Sequence, residues 1–242
     1  MIKFIILCLA YLGLILLLPT GRYLFKRYKI NRWCRVLNLH AHLDVFNKLY
    51  EGVDGFSLSK QARKDNDAFE YTYGEIEFLS FTALLSLTHP DENTRFNDLG
   101  SGTGKAVLAA AMVYKMASYC GVELFKDLYD ISVKLQKHLN RLPEYEATAE
   151  KITFIHADFL TIDLSNATLI FINSTAFIGE TWQSLNERLV ETAIGATIIT
   201  VSKTLTSSVF EIIKTTEINM SWGPATVYIQ VHQGGTSEIS GL

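Results

Sequence analysis

The chain is poor in the residues that staple or stiffen small folds, with 3 cysteines and 4 prolines in 242 residues. Cys8, Cys34 and Cys120 are widely spaced and fit neither a zinc site nor a disulfide framework, so a reducing compartment is expected and each reads as a small apolar residue. Histidine is scarce as well, at six, and no His/Cys/acid cluster has metal-ligand spacing, so no metal is expected. His156 and His232 fall within apolar runs and read as core or edge residues. Internal repeats and low-complexity tracts are missing. Basic residues are short over most of the chain: residues 51–242 carry fourteen Lys/Arg against twenty-four Asp/Glu, a net −10. Such a surface repels phosphate, which makes nucleic acid an unexpected partner.

The first fifty residues have the opposite balance, a net +7. An uninterrupted apolar run, Phe4 to Leu18, is followed by Arg22, Lys26, Arg27, Lys29, Arg32 and Arg35. No small-x-small cleavage site comes after the run, so it reads as an uncleaved hydrophobic helix. The positive flank on its C-terminal side keeps the rest of the chain cytoplasmic. The expectation is therefore a single-pass membrane protein with a transmembrane anchor at 1–21, a basic juxtamembrane helix and linker at 22–66, and a cytoplasmic folded domain at 67–242. The basic stretch is expected to lie on anionic lipid, at about 1 kcal/mol per Lys or Arg.

With 48% hydrophobic and 19% charged residues, the remainder is long enough for one sizeable core. Asn38 to Tyr50 has helical spacing, and a polar segment with Gly52, Gly55 and Ser57 to Asp67 follows it and reads as a linker or mobile lid. A helix is expected over Ile76 to Leu87. Strands are expected at Asn97 to Leu99, Tyr119 to Glu123, Ile152 to Ala157, Thr168 to Ile172 and Thr197 to Ser202. Helices over about Lys126 to Leu142 and Thr181 to Ala193 alternate with them. Glu217 to Trp222 and Thr226 to His232, joined by Gly223-Pro224, read as a closing hairpin. Alternation of this kind implies an α/β fold with a mainly parallel sheet covered on both faces.

The chain is organised around Asp98-Leu99-Gly100-Ser101-Gly102-Thr103-Gly104-Lys105, a strand end running into a glycine-rich turn and the helical run Ala106 to Ala117. Such a turn brings a backbone without β-carbons close to a ligand at the carboxyl end of a strand. Leu99 and Ala106 stand where a Walker A loop needs Gly and Ser or Thr, which removes a phosphate loop. A dinucleotide fingerprint places its third glycine one residue later, so NAD stays open as the poorer fit. The spacing fits the nucleotide loop of a class I methyltransferase using S-adenosyl-L-methionine. Glu123, closing the next apolar run, is placed to accept hydrogen bonds from ribose hydroxyls. Asp98, Glu123, Asp158 and Asn173 end four successive expected strands, where ligands sit in open α/β sheets.

Several ordered blocks add to this: Tyr73-Gly74-Glu75, the glycine turn with Gly121-Val122-Glu123, Asp158-Phe159-Leu160, Phe171-Ile172-Asn173, Ala176-Phe177, Ser202-Lys203, and Ser221-Trp222-Gly223 leading to Tyr228. On these blocks, residues Tyr73 to about His232 resemble the disruptor-of-telomeric-silencing family, the histone lysine methyltransferases that lack a SET domain. The resemblance implies a seven-stranded, mainly parallel Rossmann-like methyltransferase sheet with a C-terminal antiparallel hairpin. It implies that Asp98, Gly100, Ser101, Gly102 and Gly104 hold the methionyl part of S-adenosyl-L-methionine, with Tyr73, Gly74 and Glu75 closing over it. Glu123 takes the ribose and Asp158 the adenine amino group beside Phe159. Asn173 lies at the methyl-transfer centre, and Phe69, Trp222 and Tyr228 line a lysine channel in which Asn173 and Tyr228 orient the amine. The family usually has a second asparagine where this chain has Ser174.

The expected activity is protein-lysine N-methylation, with a protein substrate presenting a lysine. The alternatives from other classes are a catalytically weak cofactor-binding interaction module, suggested by Ser174, and a small-molecule methyltransferase. No Asp/Asn-Pro-Pro-aromatic sequence follows the fourth strand, which disfavours base amino-group methylation.

Overall fold

The computed structural model describes residues 20–64 and 74–234. The chain divides into two compact units between Asp44 and Val45. In the first, residues 20–36 are helical (α1) and expose Tyr23, Leu24, Phe25 and Tyr28. The six basic residues Arg22 to Arg35 all fall on this helix. The expected single-pass membrane placement is corrected here: among the described residues, no helix is long and apolar enough to cross a membrane. The charge density of α1 is the physical reason. The apolar run Phe4 to Leu18 lies outside the described residues, as do Phe69 and Tyr73.

From α2 (Leu39–Leu49) the chain continues through α3 (Gly55–Ala62) and α4 (Phe78–Ser86) into alternating elements. These are β1 (Arg95–Leu99), α5 (Lys105–Val113), β2 (Ser118–Glu123), α6 (Lys126–Leu139), α7 (Glu146–Ala149), β3 (Ile152–His156), β4 (Leu169–Ile172), α8 (Gly179–Leu189) and β5 (Thr197–Val201). The chain closes with β6 (Phe210–Met220) and β7 (Gly223–His232). The seven strands form one sheet in the order β3-β2-β1-β4-β5-β7-β6. Strands β1 to β5 are parallel, and β7 inserts antiparallel between β5 and β6. This is the class I methyltransferase sheet that the sequence implies.

The central strands show why. β4 reads Leu-Ile-Phe-Ile and is buried throughout, as a parallel strand covered on both faces must be. Its alternate residues feed two cores. Ile170 and Ile172 join Leu99, Leu185, Leu189 and Ile198 on the α8 side. Phe171 meets Phe81 of α4 edge-on at 5.2 Å, and Phe81 lies 6.1 Å from Phe96 of β1. Order reverses between β1 and β4, since the chain leaves β1 for β2 on one side and returns to β4 on the other. A crevice opens there at the strands' carboxyl ends.

Two further expectations changed. The segment read as linker contains α3, capped by Asp54, whose carboxylate accepts from Ser57 N at 3.1 Å. The hairpin turn falls at Ser221-Trp222, and Gly223-Pro224 instead begin β7, with Pro224 opposite Asn219. Proline is tolerated at the start of a strand, where a missing N–H costs least.

Candidate functional site

The crevice is a cavity of about 170 Å³ whose wall includes Asp98, Gly100, Ser101 and Gly102 of the glycine turn, Glu123, Asp158, Phe159 and Asn173, while Gly104 stands behind it. Gly74 and Glu75 join them from upstream, so most of the residues singled out in the sequence meet in one place. The turn is held by β2: Gly100 N and Ser101 N both donate to Val122 O at 2.9 Å. It then feeds α5 through Gly104, at φ +83, where a β-carbon would lie 2.6 Å from the Phe154 ring. Only glycine fits both the left-handed backbone and that approach.

Glu123 is 6% exposed, and both of its oxygens accept backbone N–H groups, Gly102 N at 2.7 Å and Phe125 N at 2.8 Å. Burial raises its pKa while these two donors pull it down. Asp98 is 3% exposed. Burial, with the Glu123 charge adding to it, pushes the Asp98 carboxyl up to about 8. Burial thus raises both acids, and Asp98 holds a proton at neutrality when the cavity contains no cation. Asp158 caps a short 3-10 turn, accepting from Leu160 N at 2.9 Å, and Phe159 lies 5.1 Å from Phe177.

On the other side, residues 74–76 are clamped to the β6–β7 turn. Ile76 bridges Met220, Ser221 N donates to Glu75 O at 2.9 Å, and Glu75 N donates to Ser221 Oγ at 3.2 Å. Asn173 Nδ2 donates to Gly74 O at 3.2 Å. A carbonyl can only accept, so this bond turns Oδ1 of Asn173 the other way. Trp222, 46% exposed, covers Gly74 so closely that a β-carbon there would fall 1.9 Å from its ring. Tyr228 is half-buried on β7, opposite Thr200 and Thr215, and is not among the cavity-lining residues. His156 also stays outside the wall, its Nε2 donating to Leu124 O at 3.0 Å. His232 is buried against Thr192 O at 2.9 Å.

Sequence reasoning missed Lys105, Met220 and Ser59, which line the cavity. Lys105 Nζ donates to Glu75 Oε2 at 2.5 Å, and its position as first residue of the helix after the glycine turn was the available signal. Met220 and Ser59 carry no motif.

The wall fits S-adenosyl-L-methionine. Among the described residues, Ser101 Oγ and Asn173 Oδ1 are buried without a hydrogen-bond partner, and both belong to this wall. Native proteins rarely leave such atoms unpaired, so they await a polar ligand. Two buried acids suit a ligand with cationic groups, and lone pairs left on Glu123 suit a pair of hydroxyls. Sheet order, glycine turn and acid pair together define a class I S-adenosyl-L-methionine-dependent methyltransferase.

The family described as histone methylation protein DOT1 matches residues 58–227. That is more than half of the chain, and the chain belongs to this family. Among solved structures, it is similar to an RNA methyltransferase from Salinibacter ruber in complex with S-adenosyl-L-homocysteine. The TM-score is 0.52 at 22% identity, over 65% of this chain and 93% of that one. It is also similar to a SAM-dependent methyltransferase from Geobacter sulfurreducens in complex with the same compound. Here the TM-score is 0.51 at 11% identity, over 74% of this chain and 98% of that one. At these identities the likeness is one of fold. The chain is a methyltransferase, and S-adenosyl-L-methionine is its cofactor.

Proposed function

We propose that the protein transfers the methyl group to the side-chain amine of a protein lysine. The observation that carries this reading is the buried, unpartnered Asn173 Oδ1 in the cavity wall. When bound, S-adenosyl-L-methionine supplies a methyl group on a sulfonium, which an amine displaces in line without a covalent enzyme intermediate. In this reading, Asp98 with Gly100, Ser101, Gly102 and Gly104 holds the methionyl end, and Tyr73, Gly74 and Glu75 close over it. Glu123 accepts the ribose hydroxyls, while Asp158 and Phe159 take the adenine. Asn173 Oδ1 accepts an N–H of the incoming amine and aims its lone pair.

A lysine amine is protonated at neutrality, with a free pKa of about 10.4. Phe171, Phe177 and Met220 give the wall an apolar part, and an apolar surface disfavours the ammonium form, so no strong general base is required. Trp222, beside Gly74, supplies the rim of the acceptor channel. Phe69, Tyr73 and Tyr228 enter the proposal through the family resemblance alone.

The test is incubation of the full chain with labelled S-adenosyl-L-methionine and a lysate. Labelled protein bands that vanish in Asn173→Ala, and fall in Tyr228→Phe if that residue shares the amine, support the proposal. Label confined to extractable metabolites refutes the protein acceptor, and binding without any transfer leaves an interaction module instead.

A further inference from the structure

The family match begins at residue 58, yet a residue before it reaches the glycine turn. Tyr50 follows α2 directly and is 8% exposed. Its ring packs 4.6 Å from Phe46, which in turn lies 4.9 Å from Phe78 of α4. Its hydroxyl donates to Thr103 O, inside the turn, at 3.0 Å in a buried bond. The face of the same ring lies 5.2 Å from the Lys105 ammonium, within reach of a cation–π attraction. Glu75 holds the same ammonium at 2.5 Å.

A lysine side chain on a surface is a floppy stem ending in a hydrated charge. Here the aromatic face and the carboxylate pin it at the cavity wall, with side-chain exposures of 24% for Lys105 and 16% for Glu75. An ammonium has three donors, so the bond to Glu75 leaves capacity for an anion in the cavity. Asp98, once a bound ammonium displaces its proton, and Lys105 present opposite charges on that wall, which is the complement of an α-amino acid zwitterion. Holding the ammonium in place before binding reduces the ordering cost at binding.

We infer that Tyr50 is a positioning residue of the cofactor site: it fixes the glycine turn through Thr103 and, with Glu75, holds Lys105 where it engages the carboxylate at the cofactor's methionyl end. This rests on the reading that Asp98 and the turn face the methionyl end.

The experiment is calorimetric binding of two probes to the full chain: S-adenosylhomocysteine, and adenosine, which lacks the amino acid end. Tyr50→Phe keeps the ring over Lys105 and removes the hydroxyl, and should weaken S-adenosylhomocysteine about fivefold. Lys105→Met should weaken it about tenfold or more, as loss of a charged hydrogen bond does, and Lys105→Arg should recover most of that. Adenosine should bind all three variants within about twofold of wild type. A general packing role for Tyr50 would move both ligands alike. Tyr50→Phe that binds S-adenosylhomocysteine as wild type does, or loses adenosine in equal proportion, overturns the inference. Asp98→Asn separates this from the underlying reading. If it selectively weakens S-adenosylhomocysteine while the Tyr50 and Lys105 variants do not, only the inference fails. If it too affects both probes equally, the assignment of the cavity's ends fails and the inference falls with it.

Discussion

Cofactor binding should release a proton, and Asp98 should be its source. Below about pH 8 the buried Asp98 carboxyl holds a proton in the ligand-free protein, whereas pairing with the ammonium of the cofactor's amino acid end requires the carboxylate. With a pKa of about 8, about nine in ten Asp98 side chains are protonated at pH 7, so about 0.9 proton should leave per ligand bound. Affinity should rise about tenfold per pH unit from pH 6 to 7 and flatten near 8, each unit being worth about 1.4 kcal/mol. Cys120, pushed up to about 11 by burial and by Asp98 itself, stays neutral over this range. Glu123 is itself raised by burial, against the pull of its two N–H donors, and the Lys105–Glu75 ion pair lies beside them. Calorimetric titration of S-adenosylhomocysteine in two buffers of different ionisation enthalpy counts the protons, with His156→Gln as the control for the nearest imidazole. In Asp98→Asn the release should vanish and the affinity should lose its slope. Zero protons released by the wild type at pH 7, with flat affinity from pH 6 to 8, would refute the reasoning. The sign for stability is opposite. Folded Asp98 keeps its proton to about pH 8 and the unfolded chain loses it near about 3.9, so this group makes ligand-free stability fall as pH rises between those values.

Glu123→Ala should weaken S-adenosylhomocysteine by about 1.5–3 kcal/mol in calorimetry, because the Gly102 and Phe125 donors lose their acceptor along with the ribose; unchanged affinity would place the ribose elsewhere. Gly74→Ala forces Trp222 off the 74–76 segment and should cost about 1–3 kcal/mol in denaturant unfolding, as overpacking does, with quenched or shifted Trp222 fluorescence as a second readout. If the acceptor is a protein lysine, the net charge of −10 over residues 51–242 should favour free basic polypeptides over nucleosomes. Labelling should fall as salt shortens the Debye length to about 8 Å near physiological strength, and faster labelling of nucleosomes would reverse this expectation.

Much of the fold was legible because its signals are local. Apolar runs such as Leu169 to Ile172 sit between helical patterns, and the spacing of Gly100, Gly102 and Gly104 belongs to one short turn. Where the expectation slipped, a distant contact decided. Gly223-Pro224 looked like a turn by composition, but Ser221 is bonded twice to Glu75 and Trp222 lies on Gly74. The chain therefore turns two residues earlier. The helix α3 was hidden by its Gly, Ser and Lys content, although Asp54 three residues before Ser57 was a readable cap. Leu99 and Ala106 excluded a Walker loop, and Lys105 carried no role of its own in the sequence. Its meaning depends on Tyr50 and Glu75, fifty-five and thirty residues away, and no periodicity reports such a meeting.

The departure at Ser174 acquires a physical reason from the loop that carries Asn173. Ser174 is fully buried, and its hydroxyl donates to Val201 O at 2.6 Å. Next to it, Thr175 and Ser202 hydroxyls meet at 2.9 Å, and Lys203 Nζ donates to Phe177 O. Three successive bonds thus fasten the segment after β4 to the end of β5. A hydroxyl suits the first of them because it is short enough to sit buried between the ends of β4 and β5, where a larger amide would displace its neighbours. Asn173 is then held twice, through this fastening of its neighbours and by its own bond to Gly74 O, which limits where Oδ1 can point. In the proposed reading Asn173 orients an amine, and such a group has to be fixed before the amine arrives. On this reasoning, Ser174 belongs to the support of Asn173, and the single amide that remains is the one at the cavity wall.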